Sequence, residues 1–290
     1  MTDTTATTAM NDAIGGIGGV PETAHPALVA AAKGAAEAYR AARAAHDRQT
    51  LAETVEMGAD GTPTMRIDRI VEDAVIDALA KHPVNILSEE SGWIDKASAY
   101  SLVIDPLDGS ANGAAGVPLT AFAGAVAIDG EFTESLTVWL DTGRVWWAHR
   151  DTPTPYRTSG RTTLDGAALS MLRPHTAKPG PAAAWWAAAS RAARVRILST
   201  TCLEAALVAE GAIDAFADAC SDTHRLVDLA AAQVMVVRAG GAVRDVHGRG
   251  IVLDTDLTRR WSGVVAATSE LANELSEVLA DARKGARQAD

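Results

Sequence analysis

The amino-acid sequence predicts an α/β fold in which layers of helix alternate with layers of sheet. Apolar residues recur at helical spacing over 67–79, and short apolar runs of strand length follow that segment. The chain has 290 residues, of which 48% are hydrophobic and 22% charged, so it can bury a sizeable core. We expect a flexible tail over 1–24 and two halves, 25–150 and 151–290, with a site in the cleft between them.

The first half alternates helix and strand patterns along the chain. The alanine-rich segment 26–45 predicts a first helix. Residues 60–64 (DGTPT) predict a turn before the amphipathic helix over 67–79, with Thr64 as its candidate N-cap. Apolar runs bounded by polar turns predict the strands that follow. These are 84–87, 101–104 and 120–128, then a hairpin of 135–140 and 144–149.

The second half has a similar alternation after a different beginning. Residues 151–182 are rich in Pro, Thr and Gly and are predicted to connect the two halves. Beyond them, helices that end at glycine alternate with short strands. The predicted helices are 202–210 and 228–239, the strands are 213–217 and 242–246, and a charged amphipathic helix starts at Ser269.

Charge and composition restrict the class of partner. A net charge of -11 argues against a nucleic-acid or anionic-membrane surface, but it does not exclude a phosphorylated substrate, because bound Mg²⁺ can reverse the local field. Cys202 and Cys220 are too few for a disulfide framework or a cysteine zinc site. No apolar run approaches the roughly 18 residues of a membrane helix, and residues 1–19 lack secretory features. We expect a cytoplasmic protein.

The segment 102–112 (LVIDPLDGSAN) is the most informative in the chain. An apolar strand ends there in Asp105 and Asp108, and Gly109 follows. Glu89 follows another short apolar run, and Asp228 begins a helical pattern far downstream. Mg²⁺ prefers carboxylate oxygens, whereas buried carboxylates without a cation would repel one another at a cost of several kcal/mol per charge. The pattern therefore predicts metal-assisted phosphate chemistry.

Four ordered motifs resemble the inositol monophosphatase family of Mg²⁺-dependent phosphatases, which includes fructose-1,6-bisphosphatases. The motifs are 88–91, 103–112, 227–232 and 239–243. Residues 58–64, with Asp68, are most similar to archaeal-type members. The resemblance implies an αβαβα sandwich, hydrolysis of a small phosphate monoester, and a homodimer.

The same resemblance implies roles for individual residues. Two or three Mg²⁺ ions, with Mn²⁺ as a substitute, would be bound by five groups: Glu89, Asp105, the carbonyl of Leu107, Asp108 and Asp228. The catalytic residues would be Glu89 and Ser110, which orient and polarise the attacking water, with Asp68 behind Ser110. The implied substrate contacts are the N–H groups of Gly109 and Ser110 for the phosphate, and Thr200, Thr201, Cys202 and Arg225 for the remainder.

Several alternatives stay open at this stage. The substrate could be inositol phosphate, fructose bisphosphate, histidinol phosphate, 3′-phosphoadenosine 5′-phosphate or a pathway-specific sugar phosphate. Asp68 could be a surface acid, Glu90 could lie behind the site or on the surface, and Arg225 could pair with any neighbouring acid. A metal-dependent sugar-phosphate or nucleotide sensor is the alternative of another class, and ligand binding without phosphate release would identify it.

Overall fold

The computed structural model describes residues 19–288, with side chains described through residue 286. Most of the tail predicted over 1–24 lies outside the described residues. Within that range there are eight helices: α1 (Pro26–Ala45), α2 (Arg48–Leu51), α3 (Arg66–Ala78), α4 (Ser110–Ala115), α5 (Pro179–Ala189), α6 (Thr201–Ala209), α7 (Leu226–Arg238) and α8 (Ser269–Gln288). None of the helices in this described range is long and apolar enough to cross a bilayer.

The strands form a short hairpin and two larger sheets. Their bounds are β1 (Thr54–Met57), β2 (Pro63–Met65), β3 (Asn85–Ser88), β4 (Gly92–Ile94), β5 (Tyr100–Asp108), β6 (Ala121–Ile128), β7 (Glu131–Trp139), β8 (Arg144–His149), β9 (Ala168–Met171), β10 (Arg194–Arg196), β11 (Ala215–Ala217), β12 (Ala242–Asp245) and β13 (Gly263–Ala266). Strands β1 and β2 pair with each other. The larger sheets have the orders β4-β3-β5-β6-β7-β8 and β10-β9-β11-β13-β12.

Helices cover and separate the two large sheets, so that five layers alternate. Helices α1 and α3 pack on one face of the six-stranded sheet, α6 and α7 lie between the sheets, and α5 and α8 cover the far face of the other sheet. Three apolar cores fill the spaces between these layers: one contains Phe122, another Trp146 and the third Leu271. The αβαβα sandwich implied by the sequence motifs is confirmed.

Helix α3 follows the predicted amphipathic pattern, but its N-cap differs from the prediction. Ile67, Val71 and Val75 form its buried apolar face. The helix begins after Met65 rather than after Thr64, and the Met65 N–H donates to Asp68 Oδ2 at 3.0 Å. An acidic side chain in the first turn thus satisfies one of the donors that every helix start leaves unpaired.

Residues 151–182 were predicted only to connect the two halves, but they also contain a strand of the second sheet. They contain β9, which lies between β10 and β11 and pairs with both in parallel. Leu169 and Met171 are buried, and Ser170 between them is buried as well. Because this four-residue strand is covered on both faces, its sequence lacks the polar alternation by which a half-exposed strand is recognised.

Candidate active site

Glu89 and Asp105 meet because two neighbouring strands are parallel. Ser88, the last residue of β3, pairs with Ile104 on β5, so the residue that follows each of them lies at the same edge of the sheet. Residues at the carboxyl ends of adjacent parallel strands converge in α/β folds. The structure therefore brings together two carboxylates that are 16 positions apart in the sequence.

Asp108 joins them because β5 contains an irregularity. Asp105 pairs with Ala123 on β6 and Asp108 pairs with Ala121, so three steps along β5 match two steps along β6. Residues three apart on a regular strand point to opposite faces, and a bulge corrects this by adding one residue. The Asp-x-x-Asp spacing with Pro106 inside it suits such a bulge.

Asp228 enters from the other half, on the first turn of α7, together with Arg225. The Asp228 carboxylate accepts the Arg225 backbone N–H at 2.6 Å and its Nη2 at 3.0 Å. Nη1 of the same guanidinium donates to Asp60 Oδ2 at 2.9 Å and also contacts Glu89 Oε1. Arg225 thus contacts carboxylates from three separate parts of the chain. In the structure Arg225 pairs with neighbouring acids, which is one of the two alternatives left open by the sequence.

Burial and mutual repulsion perturb the acids of this cluster. Burial, reinforced by the charge of neighbouring acids, raises the pKa of Glu89 to about 8, and it raises the pKa of Asp108 to about 6. The pKa of Asp105 is well above its usual range for the same two reasons. Burial also acts to raise the pKa of Asp228, but the Arg225 guanidinium outweighs it, and the net shift is downward. Such opposed shifts in one cleft are typical of functional sites.

The cluster has the properties of a cation site, although the side chains are not arranged around one. Among residues 19–286, whose side chains the structure describes, no three His, Cys, Asp or Glu side chains form a ready-made metal centre. Asp105 Oδ2 is nevertheless buried without a hydrogen-bond partner. Unpaired buried carboxylate oxygens are costly, and a hard cation is their natural partner. The residues therefore fit the Mg²⁺ that the sequence implied.

The turn after β5 places Ser110 and Gly109 beside these acids. Gly109 is the N-cap of α4 with a φ of +84°, and a Cβ there would lie 2.6 Å from the Leu119 carbonyl oxygen. The Ser110 hydroxyl donates to the carbonyl oxygen of Leu107 at 3.1 Å. Asp68 is buried rather than on the surface, and burial raises its pKa to about 6.

The predicted substrate segment of the second half lies against Asp108. The Thr200 hydroxyl and the Cys202 N–H both donate to Asp108 Oδ2, each at 2.7 Å. Thr201, between them, is the first residue of α6 and is buried. The segment therefore reaches the cluster, but the Thr200 hydroxyl and the Cys202 N–H are already engaged with Asp108.

The structure adds polar residues to the site that the sequence interpretation did not include. Asp60, predicted only as part of a turn, is buried and also contacts Arg260, whose Nη2 donates to the Asp60 carbonyl oxygen at 2.8 Å. Glu72 is fully buried and accepts the Ser88 hydroxyl at 2.7 Å and the Ser91 N–H at 3.0 Å, which fixes the turn carrying Glu89. The sequence does contain a sign of Glu72: it is an acid within the apolar stripe of α3.

A family model described as the inositol monophosphatase family matches residues 21–286. The chain belongs to the inositol monophosphatase family. A relative from Methanothermobacter thermautotrophicus, named fructose-1,6-bisphosphatase/inositol-1-monophosphatase, is 32% identical over 248 residues, which cover 78% of this chain and 87% of that protein. A relative of the same name from Thermococcus kodakarensis is 29% identical over 245 residues, covering 79% and 88%.

A solved structure agrees with this membership. The crystal structure described as an inositol monophosphatase–fructose 1,6-bisphosphatase superposes with a TM-score of 0.74 at 26% identity, covering 83% of this chain and 95% of that one. The resemblance and the fold class predicted from the sequence are both confirmed. The chain is a phosphoric monoester hydrolase of the inositol monophosphatase family, whose members generally depend on Mg²⁺.

Proposed function

We propose that this chain hydrolyses the phosphate monoester of a small polyol, sugar or nucleotide, with inositol phosphate and fructose bisphosphate as the first substrates to test. The observation that carries this proposal is the placement of Glu89, Asp105 and Asp108 at the carboxyl ends of two neighbouring parallel strands, with Arg225 contacting both Glu89 and Asp228. The names of the relatives favour those two substrates, and histidinol phosphate, 3′-phosphoadenosine 5′-phosphate and pathway-specific sugar phosphates are the alternatives.

The proposed metal ligands are those that the sequence motifs imply: Glu89, Asp105, the Leu107 carbonyl, Asp108 and Asp228. They would hold two or three Mg²⁺ ions, or Mn²⁺. The buried, unpaired Asp105 Oδ2 supports this assignment. Mg²⁺, when bound, makes a water easier to deprotonate and neutralises charge on the phosphoryl group.

The remaining residues bind and orient the reactants. The N–H groups of Gly109 and Ser110 hold the phosphate, since unpaired donors at a helix start favour an anion. Glu89 and the Ser110 hydroxyl orient the water in line with the ester bond, and Asp68 behind Ser110 is the acceptor for the proton that the water loses. The water oxygen bonds to phosphorus as the ester bond breaks, and the departing alkoxide takes up a proton from solvent, so that inorganic phosphate and the free alcohol are released.

The non-phosphate part of the substrate is proposed to contact Thr200, Thr201, Cys202 and Arg225. Their position against Asp108 and the carboxylate cluster supports this placement. We further propose a cytoplasmic homodimer that acts on small phosphorylated molecules rather than on nucleic acid or membrane. The net charge of -11 favours such partners, and sedimentation of the purified protein would test the dimer.

The test is phosphate release from a panel of inositol, sugar, histidinol and nucleotide phosphates, with and without Mg²⁺. Asp108→Asn and Glu89→Gln should each lower kcat at least roughly 10²-fold, the scale of losing one preorganised electrostatic group. Asp141→Asn is a matched control, because the Asp141 side chain is only 8% exposed and accepts hydrogen bonds from Tyr39 and Thr120 instead. Near-wild-type turnover in either site variant contradicts the assignment.

A further inference from the structure

Glu204 is a buried carboxyl that the proposed hydrolysis does not use. It lies in the first turn of α6 and has no solvent-exposed surface. Its Oε2 accepts the Thr200 backbone N–H at 3.3 Å, and its Oε1 makes a short hydrogen bond with the Ser170 hydroxyl. Burying a carboxyl completely is costly unless it is hydrogen-bonded, so this arrangement requires an explanation.

The hydrogen bonds around Glu204 match a neutral carboxyl. The Ser170 hydroxyl also approaches the Arg196 carbonyl oxygen at 3.3 Å, and one hydroxyl proton cannot serve two acceptor oxygens fully. A protonated Glu204 supplies the second proton. Burial raises the pKa of Glu204 to about 8, in agreement with this count. The residue therefore acts as a donor and an acceptor rather than as a charge.

Thr200 links Glu204 to the candidate site. Its N–H is held by Glu204, while its hydroxyl donates to Asp108 Oδ2, to which the Cys202 N–H also donates. These contacts join residues 92 and 94 positions apart in the sequence. The orientation of the Asp108 carboxylate thus depends on how the backbone at Thr200 is held.

The opposite side of the same segment is held by the first half. Asn112 Nδ2 donates to the Leu198 carbonyl oxygen at 2.9 Å and to the Leu119 carbonyl oxygen at 3.0 Å. Ser199 has a φ of +59°, in the left-handed region where a residue with a side chain needs surrounding support. Residues 198–202 are therefore fixed from both sides, by Asn112 and by Glu204.

We propose that Glu204 is a positioning residue: through Thr200 it fixes the orientation of Asp108 in which the carboxylate binds its cation. This inference rests on the proposed role of Asp108 as a metal ligand. Groups that orient metal ligands typically contribute 10- to 100-fold to metal affinity or activity. Glu204 supplies this contact from the second half of the chain to a ligand in the first.

Two substitutions separate positioning from simple packing. Glu204→Gln keeps the shape, one donor and one acceptor, so its Mg²⁺ affinity and kcat should stay within about twofold of wild type. Glu204→Leu removes both hydrogen bonds, so the Mg²⁺ Kd measured by calorimetry and the half-saturating Mg²⁺ concentration should each rise about 10-fold or more. Amide hydrogens of residues 198–202 should exchange faster in EDTA-treated Glu204→Leu than in wild type.

Glu134→Leu is the matched control, since Glu134 is also buried and accepts the His25 N–H at 2.8 Å and Trp147 Nε1 at 2.7 Å. It should lose thermal stability without a change in Mg²⁺ affinity. If Glu204→Leu does not fold, Ser170→Ala removes one anchor of Glu204 and should change the Mg²⁺ Kd in the same direction.

Wild-type Mg²⁺ affinity in folded Glu204→Leu, or equal damage in Glu204→Gln and Glu204→Leu, overturns the inference. Failure of the proposed function has a different outcome. Wild-type protein would then release no phosphate, or Asp108→Asn would bind Mg²⁺ as wild type does.

Discussion

Replacing Arg225 with methionine removes a buried cation and keeps a side chain of similar length. Three carboxylates lose this partner, although Asp60 keeps a contact with Arg260 at 3.5 Å. Their side chains are nearly or fully buried: 0% of Asp60, 6% of Asp228 and 17% of Glu89 is exposed. Because so little water reaches them, these are not surface ion pairs worth a fraction of a kcal/mol. We expect EDTA-treated Arg225→Met to be substantially less stable than wild type.

The magnitude follows from the cost of leaving a buried charge uncompensated. Breaking a buried pair by removing one partner typically costs about 3–5 kcal/mol. For a protein of this size class, each kcal/mol shifts Tm by about 2–4 °C, so the expected loss is about 6–20 °C. Mg²⁺ should restore part of it. In wild type the cation must compete with the guanidinium for Glu89 and Asp228, so Mg²⁺ should stabilise Arg225→Met more than wild type.

The assay is thermal unfolding of both proteins in EDTA and at several Mg²⁺ concentrations. Arg249→Met is the control: Arg249 joins Asp222 to the fully buried Asp245 carboxylate, outside the candidate site. It should lower Tm in EDTA without enlarging the Mg²⁺-dependent increase. A loss below about 1 kcal/mol in Arg225→Met, or equal Mg²⁺-dependent increases in variant and wild type, would refute this reasoning.

Two further predictions concern the turn after β5 and a buried histidine. Gly109→Ala should lower Tm, and it should lower kcat at least about 10-fold, because the added Cβ would clash with the Leu119 carbonyl oxygen. Gly130→Ala is the control, since Gly130 has the same φ of +84° but open space around it. Backbone strain should lower its free energy of unfolding, measured by denaturation, by only about 1–3 kcal/mol, and kcat should be unchanged. Burial lowers the pKa of His224 below its unfolded-state value of 6.5. As pH falls below 6.5 the unfolded chain therefore binds a proton that the folded protein does not, and the free energy of unfolding decreases. Urea unfolding from pH 8 to 5 should show wild type losing up to about 1.4 kcal/mol per pH unit more than His224→Gln, and parallel curves would contradict this.

Local patterns in the sequence predicted much of the secondary structure and the chemistry. The helix at Pro26–Ala45 and the hairpin that pairs Leu136 with Trp147 are where the alanine content and the two runs joined by a turn indicated them. Strand β9 was missed, because burial on both faces removes the alternation. The site residues in the second half of the chain were predicted through family motifs rather than through local physical patterns. The metal ligands of the whole site remain predictions.

The sequence by itself determined that carboxylates follow strand ends and that a Gly-Ser turn follows Asp108, since neighbouring residues and short-range periodicity carry this information. Only the tertiary structure decided that Arg225 bridges Asp60 and Glu89, which lie 165 and 136 positions away, and that Thr200 is hydrogen-bonded to both Glu204 and Asp108. Such contacts depend on how the layers pack. An arginine or a threonine can donate a hydrogen bond to any of the many carboxylates in the chain. The fold alone determines which carboxylates lie within hydrogen-bond distance of it.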